Sequence, residues 1–87
     1  MKMSITQGKN EEGITQALSA MGLPFNTKGK LIKFDSARMT EDSFFSVLEV
    51  TFEKEGLPFY RIGKTRKYAG YNTQPMVIDF DTGTIQL

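Results

Sequence analysis

The chain has no cysteine, no histidine and no tryptophan among its 87 residues, and only three prolines. Without cysteine there is no disulfide framework and no thiolate metal site. That suits a reducing compartment, although many exported proteins also lack cysteine. With histidine absent too, zinc and haem lose their usual ligands, and Cys–His or Ser–His nucleophile chemistry has no base. No apolar run is long enough to span a bilayer. The opening residues, Met1-Lys2-Met3-Ser4-Ile5-Thr6-Gln7, lack the apolar stretch of a secretory signal. The expectation is a cytoplasmic protein with no membrane contact and no cofactor.

Hydrophobic residues make up 39% of the chain, and seven Phe with three Tyr supply much of the expected core. Large aromatic side chains bury much area each, so one small domain spanning 1–87 is feasible. The net charge of +1 conceals a polarised chain. Glu41, Asp42, Glu49, Glu53 and Glu55 stand against Lys54 alone, a net −4 over residues 41–55. Residues 57–75 carry Arg61, Lys64, Arg66 and Lys67 and no acid, a net +4. The two blocks are expected to face each other across a hairpin.

Local signals predict an α+β fold: one N-terminal helix packed on a mainly antiparallel sheet of about four to five strands. Residues 3–8 read as a short edge strand or a disordered start. Asn10 then fits an N-cap, and Glu11 and Glu12 suit a first helical turn. Ile14, Ala17, Leu18 and Met21 form one apolar stripe, and Gly22 with Pro24 ends the helix, giving a span of about 11–21. Gly13 inside it costs about 1 kcal/mol relative to Ala. Asn26 to Gly29 is turn chemistry and Lys30 to Phe34 a strand. Residues 40–55 fit two periodicities. As a helix they bury Phe44, Phe45, Val47, Leu48 and Phe52. As a strand they alternate Leu48, Val50 and Phe52 against Glu49, Thr51 and Glu53. The β preference of Val, Thr and Phe favours one helical turn at 41–45 followed by a strand at 46–54. Leu57 to Ile62 then reads as the return arm of a hairpin, Gly63 to Pro75 as a loop, and Met76 to Phe80 as a strand. Asp81-Thr82-Gly83 is a hairpin turn and Thr84 to Leu87 a closing strand.

One stretch recurs. Gly22-Leu23-Pro24-Phe25-Asn26-Thr27-Lys28-Gly29-Lys30 returns as Gly56-Leu57-Pro58-Phe59-Tyr60-Arg61-Ile62-Gly63-Lys64, identical at six of nine positions and offset by 34. The likeness continues in Lys33-Phe34 against Lys67-Tyr68. The preceding segments, 10–21 and 44–55, share almost nothing. The favoured reading is therefore a chain-exit device that arose twice. A duplicated supersecondary unit is the alternative.

Motifs for chemistry are weak. Gly63-Lys64-Thr65 resembles the end of a phosphate-binding loop, but the position where its first glycine belongs is Pro58. Asp79 and Asp81 begin like a calcium loop, yet the late bidentate Glu has no residues left to occupy. Glu11, Asp35 and Glu49 lack the Glu-x-Lys pattern of a nuclease-like site. No enzyme is expected. The best binding candidates are Arg61, Lys64, Arg66 and Lys67, interleaved with Tyr60, Tyr68 and Tyr71 and extended by Lys28, Lys30 and Lys33. Cations meet phosphates and rings stack on bases. The function expected is stoichiometric binding, most of all to a protein that handles nucleic acid, as an inhibitor or accessory factor of phage or mobile-element type. Direct binding to nucleic acid or another anionic ligand through residues 61–72 is the alternative. An acidic 41–55 surface would dock a basic groove. Monomer and homodimer stay open, since an exposed Met76–Phe80 or Thr84–Leu87 edge would pair across a dimer.

Overall fold

The computed structural model describes residues 5–71 and 75–87. In chain order the elements are α1 (Ile5–Met21), β1 (Phe25–Lys28), β2 (Leu31–Phe34), a short 3-10 turn (Ser36–Arg38), α2 (Glu41–Lys54), β3 (Tyr60–Arg61), β4 (Lys67–Ala69), β5 (Pro75–Asp79) and β6 (Thr84–Gln86). The six strands form one antiparallel sheet in the order β1-β2-β6-β5-β4-β3. Both helices cover one face of it. The α+β class is as the sequence implies, but the described residues hold two helices rather than one, and six strands rather than four to five.

The largest correction concerns residues 41–54, which are helical almost throughout. Thr40 caps the helix by accepting the Ser43 N–H, and Glu41 and Asp42 occupy the first turn. Phe44, Leu48 and Phe52, four residues apart, are completely buried. Leu48 and Phe52 fall on the buried side under either periodicity, so Val50 decides between them. It is 63% exposed, as a helix demands. Burial of an amphipathic stripe outweighs the strand preference of Val and Thr.

Other differences follow from tertiary contacts. α1 already includes Ile5, so the edge-strand reading of 3–8 fails for 5–8; residues 3 and 4 lie outside the described residues. Asn10 is not a cap but a buried residue inside α1, where its Oδ1 accepts the Tyr71 N–H. Asn26 to Lys28, expected to be part of a turn, belong to β1, and the segment expected to be a loop at 63–75 contains β4. β5 and β6 lie at the centre of the sheet, so neither is the free edge that a dimer would use; β1 and β3 are the edges. Gly13 is a packing choice rather than a helix weakness. A Cβ there would meet the Phe52 ring of α2 at 2.9 Å, so the two helices approach closely only because it is absent.

The recurring segment has one structural meaning in both places. Each copy ends a helix. The Gly22 N–H donates to the Ser19 carbonyl and the Leu23 N–H to that of Leu18; the Gly56 N–H donates to Glu53 and the Leu57 N–H to Phe52. Both glycines have φ of 72°. This is the same left-handed helix end twice, with the donors and acceptors offset by 34. Each copy then leads into an edge strand and a hairpin. β2 and β4 have matching registers towards the centre: Lys33 pairs with Thr84, and its counterpart Lys67 pairs with Val77. The fold is thus two helix–strand–strand halves around the β5–β6 hairpin, and the strand order reads the same with the halves exchanged. The hairpin loops differ. Lys28 pairs with Leu31 across two residues, whereas the Ile62 N–H reaches the Lys67 carbonyl across four, Gly63 to Arg66. The structure therefore favours the duplicated unit over the accidental one. Upstream likeness is low because a helix needs only its apolar spacing preserved.

Candidate functional site

The first Gly-Leu-Pro-Phe copy feeds β1 and the second feeds β3, at opposite edges of the sheet. The basic residues expected to form one surface are consequently divided. Arg61, Lys64, Arg66 and Tyr68 do come together, around a cavity of about 290 Å³ on the helix side of the sheet, with Glu41 and Asp81 also in its lining. The guanidinium of Arg61 lies 5.7 Å above the Tyr68 ring, and its Nε donates to the Thr65 carbonyl at 2.6 Å. Arg66 is held by Asp79 at 3.7 Å and Asp81 at 3.9 Å. Burial pushes the Tyr68 hydroxyl above its ordinary pKa, and the positive charge of Arg61 pulls against that rise.

Lys67 lies on the other face. It pairs with Val77, which pairs with Gln86, then Leu31, then Lys28. Residues opposite one another in a ladder share a face, so Lys28 and Lys67 both stand on the uncovered side, four strand spacings or about 19 Å apart. Lys33 shares that face, and Lys30 sits in the first hairpin loop. Tyr71 is tied by its backbone to Asn10 of α1. The predicted set therefore splits into the Arg61–Lys64–Arg66–Tyr68 cavity, the Lys28–Lys67 sheet face with Lys30 at its margin, and an isolated Tyr71.

Two of the acidic candidates for metal or catalytic work, Asp79 and Asp35, have structural duties. Asp79 Oδ1 accepts the N–H groups of Asp81 and Thr82 and closes the β5–β6 turn. Asp35 caps the 3-10 turn and pairs with Arg38 at 3.1 Å. Among the described residues no three carboxylates are grouped to hold a metal ion. None of their helices is long and apolar enough to cross a membrane.

Charge is sorted by layer. α1 carries Lys9, Glu11 and Glu12; α2 carries Glu41, Asp42, Glu49, Glu53 and Lys54. The two helices together hold six acids and two bases, a net −4. The strands and their hairpin turns hold Lys28, Lys30, Lys33, Arg61, Lys64, Arg66 and Lys67 against Asp79 and Asp81, a net +5. Among the described residues the ion pairs are Asp35–Arg38, Arg66–Asp79 and Arg66–Asp81, and none involves an acid of α2. The blocks at 41–55 and 57–75 do lie side by side, but their charges do not neutralise each other by direct pairing. No family model matches the chain, and neither a curated protein nor a solved structure matches it.

Proposed function

We propose that this chain is a non-enzymatic binding protein that acts by stoichiometric association, and that its acidic helix layer docks on a basic surface of a protein that handles nucleic acid. The observation that carries this reading is the sorting of charge between the two layers. An outward face with unpaired Glu41, Asp42, Glu49 and Glu53 has a one-sign field that steers a basic partner and repels an acidic one. A surface built to hold phosphates is basic, so a protein that handles nucleic acid has the complementary patch.

The test is capture from a nuclease-treated lysate by the native chain and by the double variant Glu49→Lys, Glu53→Lys. The native chain is expected to retain a basic protein in a fixed ratio that salt elutes, and the variant to lose it by tenfold or more while keeping its circular dichroism spectrum. Equal retention by both chains would overturn the reading. Direct binding to nucleic acid is the second reading, favoured by Lys28, Lys33 and Lys67 on one uncovered sheet face. It requires retention that disappears with nuclease and with Lys28→Glu, Lys33→Glu.

A further inference from the structure

α2 and the Leu57–Arg61 arm enclose a groove made of two adjoining cavities of about 500 and 250 Å³, which share Glu49 and Phe59. Its wall is aromatic. Phe45 and Phe59 each stack on Tyr68, with centroids 5.1 and 5.3 Å apart and planes within 18° and 11° of parallel. The wall already accommodates one guanidinium, that of Arg61 over Tyr68, at a distance suited to a cation–π contact. Its rim is acidic: Glu41, Asp42, Glu49 and Glu53 line it, and Arg61 is the one cation in the lining. The helix itself gains nothing from the acids at its far end. Glu49 and Glu53 are like charges four residues apart and repel. Glu53 also stands in the last turn, where the helix dipole disfavours an acid.

We propose that this groove receives an extended basic segment of the partner protein, its arginines lying on the aromatic wall and reaching the α2 carboxylates. The proposal rests on the helix layer being the docking face, and it names the chemistry that face recognises. Arginine suits the site better than lysine, because a planar guanidinium stacks on rings and forks to a carboxylate. The spacing is specific. Along a helix Glu49 and Glu53 are about 6 Å apart, and Glu41 and Glu49 about 12 Å. In an extended chain, side chains two residues apart on one face are about 6.6 Å apart, and those four apart about 13 Å. Running antiparallel to α2, the segment carries arginines at positions one, three and seven, against Glu53, Glu49 and Glu41 in turn.

The test is an amide NMR titration of the full chain at low salt with two heptapeptides of equal composition. One is Arg-Ser-Arg-Ser-Ser-Ser-Arg, the other Arg-Arg-Arg-Ser-Ser-Ser-Ser. The spaced peptide is expected to shift amides between 41 and 61 and to bind about tenfold more tightly than the clustered one, roughly the worth of one well-placed charged contact. Glu49→Gln with Glu53→Gln is expected to weaken it about tenfold, and Phe59→Leu several-fold, with amide shifts elsewhere unchanged. Equal affinity for the two peptides, or shifts spread to Glu11 and Glu12 of α1, would overturn the proposal. The two readings fail separately. Capture that depends on Glu49 and Glu53 without peptide entry removes the groove assignment and leaves the docking face. Peptide entry without capture keeps the groove as a site for basic segments and removes the partner class.

Discussion

Phe44→Ala is expected to lower the melting temperature by about 15–30 °C. Phe44 is completely buried and joins the helix layer to the sheet. Its ring stacks on Phe34 of β2 at 4.7 Å, meets Phe45 edge-on at 5.1 Å and lies 5.2 Å from Phe80 at the end of β5. Truncating a buried Phe costs about 3–5 kcal/mol, from lost transfer energy plus the cavity left behind. A domain of this size shifts by about 4–8 °C for each kcal/mol. Its whole stability is only about 4–13 kcal/mol, so such a loss leaves little in reserve. Thermal melts followed by far-ultraviolet circular dichroism measure it. Val50→Ser in the same helix is the control. Val50 is 63% exposed, and its replacement is expected to stay within about 0.5 kcal/mol. If the control fell as far as Phe44→Ala, residues 46–54 would not be the helix described.

Gly83→Ala is expected to destabilise by about 3–4 kcal/mol. Two costs combine. Gly83 has φ of +67°, in the left-handed region, where an L-residue costs about 1–2 kcal/mol. A Cβ there would also stand 2.3 Å from the Phe34 carbonyl oxygen, a backbone atom of β2 that no rotamer change removes. The same strand end is held by the Phe34 N–H, which donates to the Gly83 carbonyl at 2.9 Å. Making room for the Cβ opens that contact, and a buried backbone hydrogen bond left unmade costs about 1–3 kcal/mol. Gly63→Ala separates the two costs. Its φ is +64° with nothing within 4 Å of the added carbon, so about 1–2 kcal/mol is expected there. Urea denaturation of the pair measures both. Equal losses at the two sites would remove the steric half of the account.

Gly83 shows what was legible in the sequence and what was not. The turn at Asp81-Thr82-Gly83 is legible because its chemistry is local: Asp79 just before it accepts the Asp81 and Thr82 N–H groups, and Gly83 has no Cβ. The stripe of α1 and the β2, β5 and β6 strands were readable for the same reason. Residues 41–54 were not, since Leu48 and Phe52 satisfy both periodicities and only packing against β2, β4 and α1 decides. Asn10 mimicked an N-cap because its type suits both roles; its partner, Tyr71, is 61 residues away. β1 and β4 carry polar, glycine-flanked sequences that read as turn and loop, and pairing in the sheet makes them strands; β3 lies within the expected return arm Leu57–Ile62 but pairs with β4 rather than with a strand at 46–54. The basic set reads as one surface because Lys28 and Lys30 follow the first Gly-Leu-Pro-Phe copy as Arg61 and Lys64 follow the second. Alternation across β4 places Tyr68 and Lys67 on opposite faces, and the exchange of halves sends Lys28 to the far edge. The acidic surface of 41–55 is legible in its five acids, and the helical state of α2 decides which of them share its outward face.

Hydrogen exchange on the captured complex tests the central claim, that the helix layer with its acidic groove is the docking face. The account predicts slowed exchange confined to α2 and the Leu57–Arg61 arm, with β1, β2 and β6 unchanged. Protection centred on the uncovered sheet face around Lys28, Lys33 and Lys67, with α2 exchanging as in the free protein, would contradict it.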